Sequence, residues 1–396
     1  MIRVGVLSHY EAMKKKYKLG IIGFGGFGKF LYQAWSTLDS IEVVAVADLI
    51  HQELNNPVIK FYENWEELLA NDEVDIVSIA TPPSTHAEIA CAAMKSGKDV
   101  VIEKPLAISV EDARKIISVR DETKANATVD YMMRFNPIFE VLAGWKENRP
   151  FGNLNRVVVE NYAQDEALPR DHWFWDKSLS GGILVEHGVH FFDLINFISG
   201  GKVRNVQGWQ SKRNENIVDR VFANVEYENG LLASFYHSFS RPGIFEETSI
   251  RLSYDLAQIE INGWIPLRGE ITALLNDNTF EDLKKLPGIN IKEKQPIENI
   301  KDDSRPEGWG DIHIDKKKGV VQSGGSEYRV EFLVRAAFEL DKNKSEVYKD
   351  SLRELMTGFI SVIEGNNKIK TVSLEDGLKS LETAFLASSP FTPHTG

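Results

Sequence analysis

The sequence is poor in cysteine, and this shortage excludes two kinds of stabilising cross-link. Cys91 is the only cysteine among 396 residues, so neither an intrachain disulfide nor a zinc site built on several thiolates can form. A single thiol suits a reducing compartment, and we therefore expect a cytoplasmic protein.

The sequence also lacks an excess of basic charge and long apolar runs. Asp and Glu number 58 against 46 Lys and Arg, which gives a formal net charge of -12. Such a charge repels nucleic-acid phosphates and anionic lipid surfaces, and no basic patch offsets it. No apolar run is long enough to span a bilayer, and residues 1–20 lack the apolar stretch of a signal peptide. The expected partners are small molecules or other protein chains, not nucleic acid or membrane.

Length and composition favour a folded protein of two domains. A chain of 396 residues exceeds what one hydrophobic core usually serves, and 42% hydrophobic with 26% charged residues is an ordinary globular composition. Residues 1–17 are expected to be a disordered extension, because Met13 and the three lysines after it resemble a natural translation start. The predicted domains are 18–135 and 136–396.

The first domain is predicted to be a doubly wound α/β domain. Short apolar runs alternate with helical patterns from Lys18 to about Val129, which is typical of strand–helix–strand units in a parallel sheet. Asn136 followed by Pro137 is typical of a helix start, and we place the domain boundary there. The predicted strands are Leu19–Ile22, Val43–Ala47, Val74–Ala80, Val100–Ile102 and Thr128–Tyr131.

The second domain has a different pattern. Longer segments such as Leu154–Tyr162 and Val221–Tyr227 alternate apolar and polar residues, which predicts an antiparallel sheet with unlike faces. Residues 276–325 are rich in charge, glycine and proline and are predicted to form a surface insertion. Helical patterns are predicted at Tyr328–Leu340, Tyr348–Ile363 and Leu374–Leu386.

A glycine-rich loop follows the first predicted strand and opens a helix. In this context G-x-G-x-x-G binds a dinucleotide: Gly23 permits the tight turn, Gly25 lets the backbone approach the pyrophosphate, and Gly28 allows close helix packing. The helix N-terminus attracts the phosphates. The alternative is a glycine-rich turn that only packs well. The predicted cofactor loop comprises Gly23, Phe24, Gly25, Gly26, Phe27 and Gly28.

Asp48 follows the second predicted strand, about 20 residues beyond the loop. A carboxylate there accepts hydrogen bonds from the adenosine ribose and repels a 2′-phosphate, and no arginine follows that could bind such a phosphate. NAD is therefore predicted over NADP, although His51 is close by. The alternative is an ordinary turn aspartate.

Three further motifs follow in a recognisable order. With the glycine loop they resemble the glucose–fructose oxidoreductase and inositol dehydrogenase family, Gfo/Idh/MocA, from Lys18 to about Leu386 apart from the insertion. The resemblance implies a Rossmann domain, then an α/β domain with a large, mostly antiparallel sheet, and activity on sugars, inositols or related compounds. The motifs are Ala80–Pro83 with His86, Glu103–Pro105, and Gly181–Asp193.

Lys104 lies where the family's catalytic lysine is found, directly after a predicted strand. An ammonium group there can donate to the reacting hydroxyl and ease proton removal, whereas the alternative is a solvated surface lysine. The resemblance also implies that Pro105 follows a cis bond. Besides the glycine loop and Asp48, the expected cofactor-binding residues are Thr81, Pro82, His86, Glu103 and Lys104.

Glu186, His190 and Asp193 are spaced i, i+4 and i+7 and are predicted to share one helix face. His190 is the candidate general base, expected to titrate near neutral pH, unless it is a packing residue. Asp193 and Glu186 are expected to orient the imidazole or bind a substrate hydroxyl, although many family members have Asp in place of Glu186. His187 is interpreted as structural. The three residues could instead hold a metal, but none is expected because hydride transfer to nicotinamide needs none.

Residues around these motifs are candidate substrate ligands. Tyr131, Arg134 and Asn136 follow the last parallel strand and are expected either to line the cleft or to hold the domains together. His172 and Trp173 precede the histidine motif, and an aromatic face suits a sugar ring, although core packing is the alternative for the tryptophan. The predicted substrate-binding residues are Arg134, His172 and Trp173.

The main functional hypothesis is NAD-dependent hydride transfer between nicotinamide and a CH–OH carbon of a sugar, inositol or related cyclic polyol. Two alternatives stay open: an NAD-dependent glycosidase or lyase that acts by transient oxidation, and a non-enzymatic dinucleotide-dependent regulator. Lys104 and His190 argue against the regulator. The second-domain sheet is expected to bury an apolar open face against another subunit, which gives a homodimer or homotetramer.

Overall fold

The computed structural model describes residues 15–51, 56–166, 168–299, 319–366 and 371–389. Most of the predicted N-terminal extension lies outside these ranges. Tyr17, the last residue of that extension, already belongs to the first strand. Within these ranges, no helix has the length and apolar character needed to cross a membrane.

The first domain is a six-stranded parallel sheet in the order β3-β2-β1-β4-β5-β6. The strand order reverses between β1 and β4, which is where doubly wound sheets bind ligands at their carboxyl edge. The strands are β1 Tyr17–Ile22, β2 Ile41–Ala47, β3 Lys60–Tyr62, β4 Ile76–Ile79, β5 Asp99–Ile102 and β6 Ala127–Val129, and the helices are α1 Gly26–Trp35, α2 Trp65–Leu69, α3 His86–Lys95 and α4 Val110–Thr123.

The second domain is built on a nine-stranded sheet in the order β14-β17-β13-β12-β11-β7-β10-β9-β8. Only β7 and β10 pair in parallel, so the mostly antiparallel sheet is confirmed. The nine strands are β7 Leu154–Gln164, β8 Val203–Lys212, β9 Val218–Tyr227, β10 Leu232–Arg241, β11 Glu247–Tyr254, β12 Ala257–Asn262, β13 Arg268–Leu275, β14 Asn290–Pro296 and β17 Phe332–Glu339. Two further strands, β15 Val320–Ser323 and β16 Ser326–Arg329, pair with each other in a separate two-stranded sheet.

The helices of this half cover one face of the sheet and also return to the first domain. Phe192 of α7 packs edge-on against Phe235 of β10, with ring centroids 4.7 Å apart. The indole of Trp35 donates to Leu352 O in α9, so the C-terminal helices lie against the Rossmann domain. The helices are α5 Pro137–Asn148, α6 Lys177–Ser180, α7 Val189–Ser199, α8 Asp277–Leu283, α9 Lys344–Ile363 and α10 Leu374–Ser388.

Two sequence predictions for this half need correction. The segment Tyr328–Leu340 is not helical but contains β17, whose residues alternate between buried and more exposed. Pairing with β13 and β14 outweighs the helix propensity of its Ala and Glu residues. Part of the predicted surface insertion, Asn290–Pro296, is the edge strand β14 of the main sheet.

The open face of the large sheet carries both charged side chains and exposed apolar ones, among them Trp209 of β8 and Leu232 of β10. Ion pairs join Arg251 to Glu160 at 3.3 Å and Arg335 to Glu293 at 2.6 Å across neighbouring strands. Association with another subunit through this face therefore stays a prediction.

Candidate active site

The glycine loop connects β1 to α1 at the carboxyl edge of the parallel sheet. Gly23 has a φ of 89°, and a Cβ there would lie 2.5 Å from Ala80 O. A Cβ on Gly28 would overlap the Gly23 carbonyl, whereas a Cβ on Gly25 would meet no atom within 4 Å. Gly23 and Gly28 are thus required by the fold, and Gly25 leaves open space at a helix N-terminus, which fits a bound pyrophosphate.

The two phenylalanines of the loop contribute through their backbone. Phe24 is buried, and its ring packs edge-on against Tyr32. Phe27 is half-buried beside Phe30 and Tyr348. Their side chains therefore anchor the loop, and only the Phe27 amide, at the start of α1, remains a candidate for phosphate contact, because the Phe24 amide donates to Asp48.

Asp48 follows β2 and braces the glycine loop. Its Oδ2 accepts from Phe24 N at 2.7 Å and its Oδ1 accepts from Ile50 N at 2.9 Å. Each carboxylate oxygen can accept a second hydrogen bond, and the residue is only half-buried. Asp48 is thus a turn residue that can still accept hydrogen bonds from ribose hydroxyls.

A pair of alanine substitutions tests the loop. Gly25→Ala is expected to fold, because its φ of -71° and open surroundings tolerate a methyl group, and to weaken NAD binding at least about tenfold by occupying the pyrophosphate space. Gly28→Ala is expected to lose about 1–3 kcal/mol of unfolding free energy through overpacking. Thermal unfolding and calorimetric titration with NAD check both, and unchanged NAD affinity in Gly25→Ala would refute the pyrophosphate assignment.

Lys104 and Glu186 meet across the two domains. Lys104 Nζ lies 2.5 Å from Glu186 Oε1 and donates to Glu186 O at 3.0 Å. Their side chains are 16% and 12% exposed, so the pair is shielded but still reachable from the cleft. Lys104 follows β5, and the bond between Lys104 and Pro105 is cis. The structure therefore brings two predicted site residues together, but Glu186 binds Lys104 rather than the His190 imidazole that it was expected to orient.

Glu186 does not continue the regular helix that carries His190. It lies in a π-helical turn, Leu184–Gly188, directly before α7. The wider turn offsets Glu186 from the face predicted with 3.6 residues per turn. Glu186, His190 and Asp193 consequently contact different partners rather than forming one polar stripe.

His190 is buried, at 4% exposure, at the start of α7. Its Nδ1 is buried without a hydrogen-bond partner among the described residues. Burial, with the nearby Lys104 charge, holds the pKa of His190 well below its usual value, so the imidazole is neutral. The expectation of titration near neutral pH is wrong, because desolvation disfavours the imidazolium. A neutral imidazole can still accept a proton transiently.

Two aromatic residues that the sequence reasoning missed surround this imidazole. Trp264, in the turn between β12 and β13, lies edge-on to His190 and stacks on His187, with both ring centroids 4.9 Å away. His237 of β10 is fully buried, 5.4 Å from the His187 ring. Burial lowers the pKa of His187 to about 3, consistent with a structural role. No local motif marks these residues, because tertiary packing alone brings them together.

Asp193 and Arg134 require the clearest correction. Arg134 binds Asp193 with two hydrogen bonds, Nε to Oδ2 at 2.7 Å and Nη2 to Oδ1 at 2.6 Å, and its Nη1 lies 3.1 Å from Asp376 Oδ2. Burial lowers the pKa of Arg134, but attraction to these carboxylates outweighs burial and raises it. Asp193 therefore holds Arg134 rather than the His190 imidazole. Arg134 joins helices α7 and α10 instead of presenting a free guanidinium to a substrate.

The residues after β4 brace the lysine turn. His86 is fully buried, with Nδ1 2.8 Å from Pro105 O and Nε2 3.0 Å from Thr81 O. Thr81 is half-buried and accepts a hydrogen bond from the Thr85 hydroxyl, while Pro82 is exposed at the sheet edge. His86 thus supports the cleft from within and is not positioned as a direct cofactor ligand.

Glu103 also faces inward. It is 7% exposed, and its Oε2 accepts from Lys104 N at 3.2 Å. Its neighbour on the next strand is Asp130, also buried. Glu103 is therefore oriented towards the protein interior, not towards a ribose in the cleft.

His172 and Trp173 lie on a short 3₁₀ turn before α6. The His172 Nδ1 accepts from Phe174 N at 3.2 Å. The rings of His172 and Trp173 are both half-buried, and their centroids are 5.2 Å apart. Asn136 and Tyr131 are buried, which favours the interdomain alternative for them.

Among the residues that the structure describes, no group of three or more His, Cys, Asp and Glu side chains is arranged to hold a metal ion.

Comparison with known families agrees with this geometry. Residues 17–131 match the family model described as "Oxidoreductase family, NAD-binding Rossmann fold", and residues 147–259 match "GFO/IDH/MocA C-terminal domain". The chain belongs to the Gfo/Idh/MocA family of oxidoreductases. The resemblance inferred from the motifs is thereby confirmed.

Curated relatives cover part of the chain. The rhizopine catabolism protein MocA of Rhizobium meliloti is 30% identical over 50% of this chain and 62% of its own length. The scyllo-inositol 2-dehydrogenase (NAD(+)) of Bacillus subtilis is 25% identical over 58% of this chain and 69% of its own length. The match thus spans less than two thirds of the MocA protein.

Solved structures show the same fold over nearly the whole chain. GenD2 from gentamicin A biosynthesis, solved in complex with NAD, has a TM-score of 0.67 at 17% identity and covers 97% of this chain and 96% of its own. A putative myo-inositol dehydrogenase from Sinorhizobium meliloti has a TM-score of 0.62 at 19% identity, covering 93% and 95%. At these identities the likeness establishes the fold.

Proposed function

We propose that this protein is an NAD-dependent dehydrogenase that oxidises a ring CH–OH group of a sugar, inositol or related cyclic polyol, or reduces the corresponding ketone. The observation that carries the proposal is the meeting of Lys104, from the Rossmann domain, with Glu186, from the second domain, at 2.5 Å beside the buried His190. The names of the inositol dehydrogenases among its relatives support this substrate class.

The cofactor would be held by the Gly23–Gly28 loop, by Asp48 and by the edge at Thr81 and Pro82. When bound, NAD supplies an oxidised nicotinamide ring that accepts the hydride from the substrate carbon. The open space at Gly25 and the free acceptor capacity of Asp48 fit this group.

The chain's own residues provide the proton chemistry. Lys104 donates a hydrogen bond to the substrate hydroxyl and stabilises the negative charge that develops on this oxygen. Glu186 orients the ammonium group through its carboxylate and its backbone carbonyl. His190 is neutral at physiological pH and accepts the hydroxyl proton, while Trp264 and Tyr131 fix the plane of its ring. His172 and Trp173 offer an aromatic surface to the sugar ring.

Substrate screening tests the proposal. We expect at least one compound from a panel of sugars, inositols and anhydrosugars to reduce NAD, followed as NADH absorbance, and Lys104→Ala to abolish that signal. Turnover of a glycoside without net NADH formation would instead favour the glycosidase or lyase mechanism. A chain that binds NAD but converts no compound in the panel would favour the regulator.

Asp48 leads to a prediction about cofactor choice. NAD is expected to bind at least about tenfold more tightly than NADP, because the carboxylate repels a 2′-phosphate. Asp48→Asn removes the charge but keeps one side-chain oxygen that can accept a hydrogen bond from Phe24 N. The difference in affinity between NAD and NADP should therefore become smaller. Calorimetric titration of both proteins with both cofactors measures this, and equal affinities in the unmodified protein would contradict it. A homodimer or homotetramer remains part of the proposal.

A further inference from the structure

Two carboxyl groups lie side by side behind Lys104. Parallel strands β5 and β6 pair with Ile102 opposite Val129, so the residues that follow, Glu103 and Asp130, are neighbours at the carboxyl edge. Asp130 N donates to Ile102 O at 2.8 Å, which keeps this register beyond the last strand residue. The alignment follows from the sheet and does not depend on a flexible loop.

Both groups are removed from water and under-provided with donors. Glu103 is 7% exposed and Asp130 is 2% exposed. Three of their four carboxylate oxygens, Glu103 Oε1 and both Asp130 oxygens, are buried without a hydrogen-bond partner at ordinary distance, although the Met132 backbone N–H lies close enough to attract the Asp130 carboxylate. A buried polar atom without a partner costs about 1–3 kcal/mol. A single proton held between the groups would satisfy two of these oxygens at once.

Electrostatics favours the same conclusion. Burial and the adjacent Asp130 charge raise the pKa of Glu103 well above its usual value. Burial also raises the pKa of Asp130, to about 6. Two adjacent buried carboxyls cannot both ionise near neutral pH, so the pair there carries one proton and one negative charge.

Two titratable groups face the pair. Lys104 is joined to Glu103 through its backbone N–H, and its ammonium group attracts both carboxyls. Tyr348 approaches from α9, where burial, with smaller contributions from Glu103, Asp130 and Glu186, raises the pKa of its phenol well above its usual value. The tyrosine therefore stays neutral, and two negative centres, Glu186 and the pair, attract Lys104.

We propose that Glu103 and Asp130 share one proton and act as a single negative charge that positions Lys104. Uptake of a second proton by this pair then causes the fall in turnover at low pH, which is the acid limb of the pH profile. The pair is a positioning element: it does not touch the substrate and acts through the lysine. The inference rests on the proposed dehydrogenase function and adds regulation of the same site by pH.

The acid limb follows from the charge on the pair. While the pair is singly protonated, its negative charge and that of Glu186 both attract the Lys104 ammonium group. Once the pair takes up a second proton it is neutral, and the ammonium group is then positioned less firmly against the substrate hydroxyl because only Glu186 attracts it. His190 does not produce this acid limb, since its imidazole remains neutral in the pH range in which the pair takes up its second proton.

The first experiment needs neither substrate nor cofactor. Infrared difference spectra of the ligand-free protein, recorded from about pH 5 to about pH 8, should show a protonated buried carboxyl that persists at the upper end of the range. Its signal should disappear in Glu103→Gln, where an amide takes the place of the protonated acid. Absence of any protonated carboxyl near neutral pH in the unmodified protein would overturn the shared proton, whatever the enzyme proves to catalyse.

The second experiment measures kcat against pH. Glu103→Gln keeps one negative charge and an amide donor towards Asp130, so it should retain an acid limb. The double variant Glu103→Gln/Asp130→Asn imitates the fully protonated pair. Its kcat should not change with pH, because the acid limb is lost. At about pH 8 its kcat should be about tenfold lower than that of the unmodified enzyme and equal to the value that the unmodified enzyme has at low pH.

A second buried carboxyl provides the control. Asp193→Asn removes a charge of similar burial that is paired with Arg134, and it should leave the acid limb in place. An acid limb that persists in the double variant, or that disappears in Asp193→Asn, would overturn the proposal. If the double variant fails to fold, the infrared spectra of Glu103→Gln still decide whether the proton is shared.

Discussion

Replacement of Lys104 by alanine is expected to lower kcat about 10²–10⁴-fold while NAD affinity changes little. The loss arises because Lys104 is the only ammonium group placed at Glu186 and His190 among the described residues, and its contribution grows as negative charge develops on the substrate oxygen. Steady-state kinetics should show the loss in kcat and in kcat/KM alike, since the interaction is strongest in the transition state. Calorimetric titration with NAD measures the binding separately.

The chain offers a matched control at the other end of the same strand. Lys98 precedes β5 as Lys104 follows it, is 6% exposed, and donates from Nζ to Asn71 O at 2.9 Å. Lys98→Ala should destabilise the fold but leave kcat within about threefold, because this lysine is at the opposite edge of the sheet. If Lys104→Ala retained more than about a tenth of wild-type turnover, its proposed role would be wrong.

His190→Ala provides the complementary result. Loss of a general base typically costs about 10²–10⁴-fold, and turnover should recover in part as pH rises, because hydroxide then takes over proton removal. NAD affinity should be retained, since the glycine loop and Asp48 lie in the other domain. A variant that retains its rate would show that the imidazole only packs against Trp264.

The features predicted from the sequence are those encoded locally. The glycine loop is a contiguous segment between a strand and a helix, and both neighbours show clear periodicity. Asn136 with Pro137 marks a helix start by side-chain capping, and the structure has that cap, with Asn136 Oδ1 accepting from Ile138 N. Lys104 could be singled out because the end of a buried parallel strand is a recurrent ligand position.

The features that the sequence did not predict depend on contacts between distant segments. Asp130 comes beside Glu103 only through the pairing of β5 with β6, and Tyr348 reaches the same place from a helix more than 200 residues later in the chain. His190 was expected to titrate near neutral pH, but desolvation cannot be judged without its neighbours. A helical wheel likewise contains no information on the π-helical turn that separates Glu186 from α7.

Replacement of Arg134 by methionine is expected to destabilise the protein by about 3–5 kcal/mol, because it leaves the Asp193 carboxylate buried without its partner. The side chains of Arg134 and Asp193 are 9% and 2% exposed, and Arg134 also binds Asp376, so one substitution removes the ion pairs that link α7 to α10. Chemical denaturation followed by tryptophan fluorescence measures the change in unfolding free energy.

The double variant Arg134→Met/Asp193→Leu separates structure from catalysis. Replacing a buried ion pair by apolar residues of similar volume is often neutral or stabilising, so most of the lost stability should return. If Asp193 served the imidazole, as the helical wheel suggested, the rescued protein would remain inactive. We expect kcat within about tenfold of the unmodified enzyme, because Lys104, Glu186 and His190 keep their contacts when the ion pair is replaced. A stable but inactive double variant would restore Asp193 to the catalytic set and contradict its assignment as the partner of Arg134.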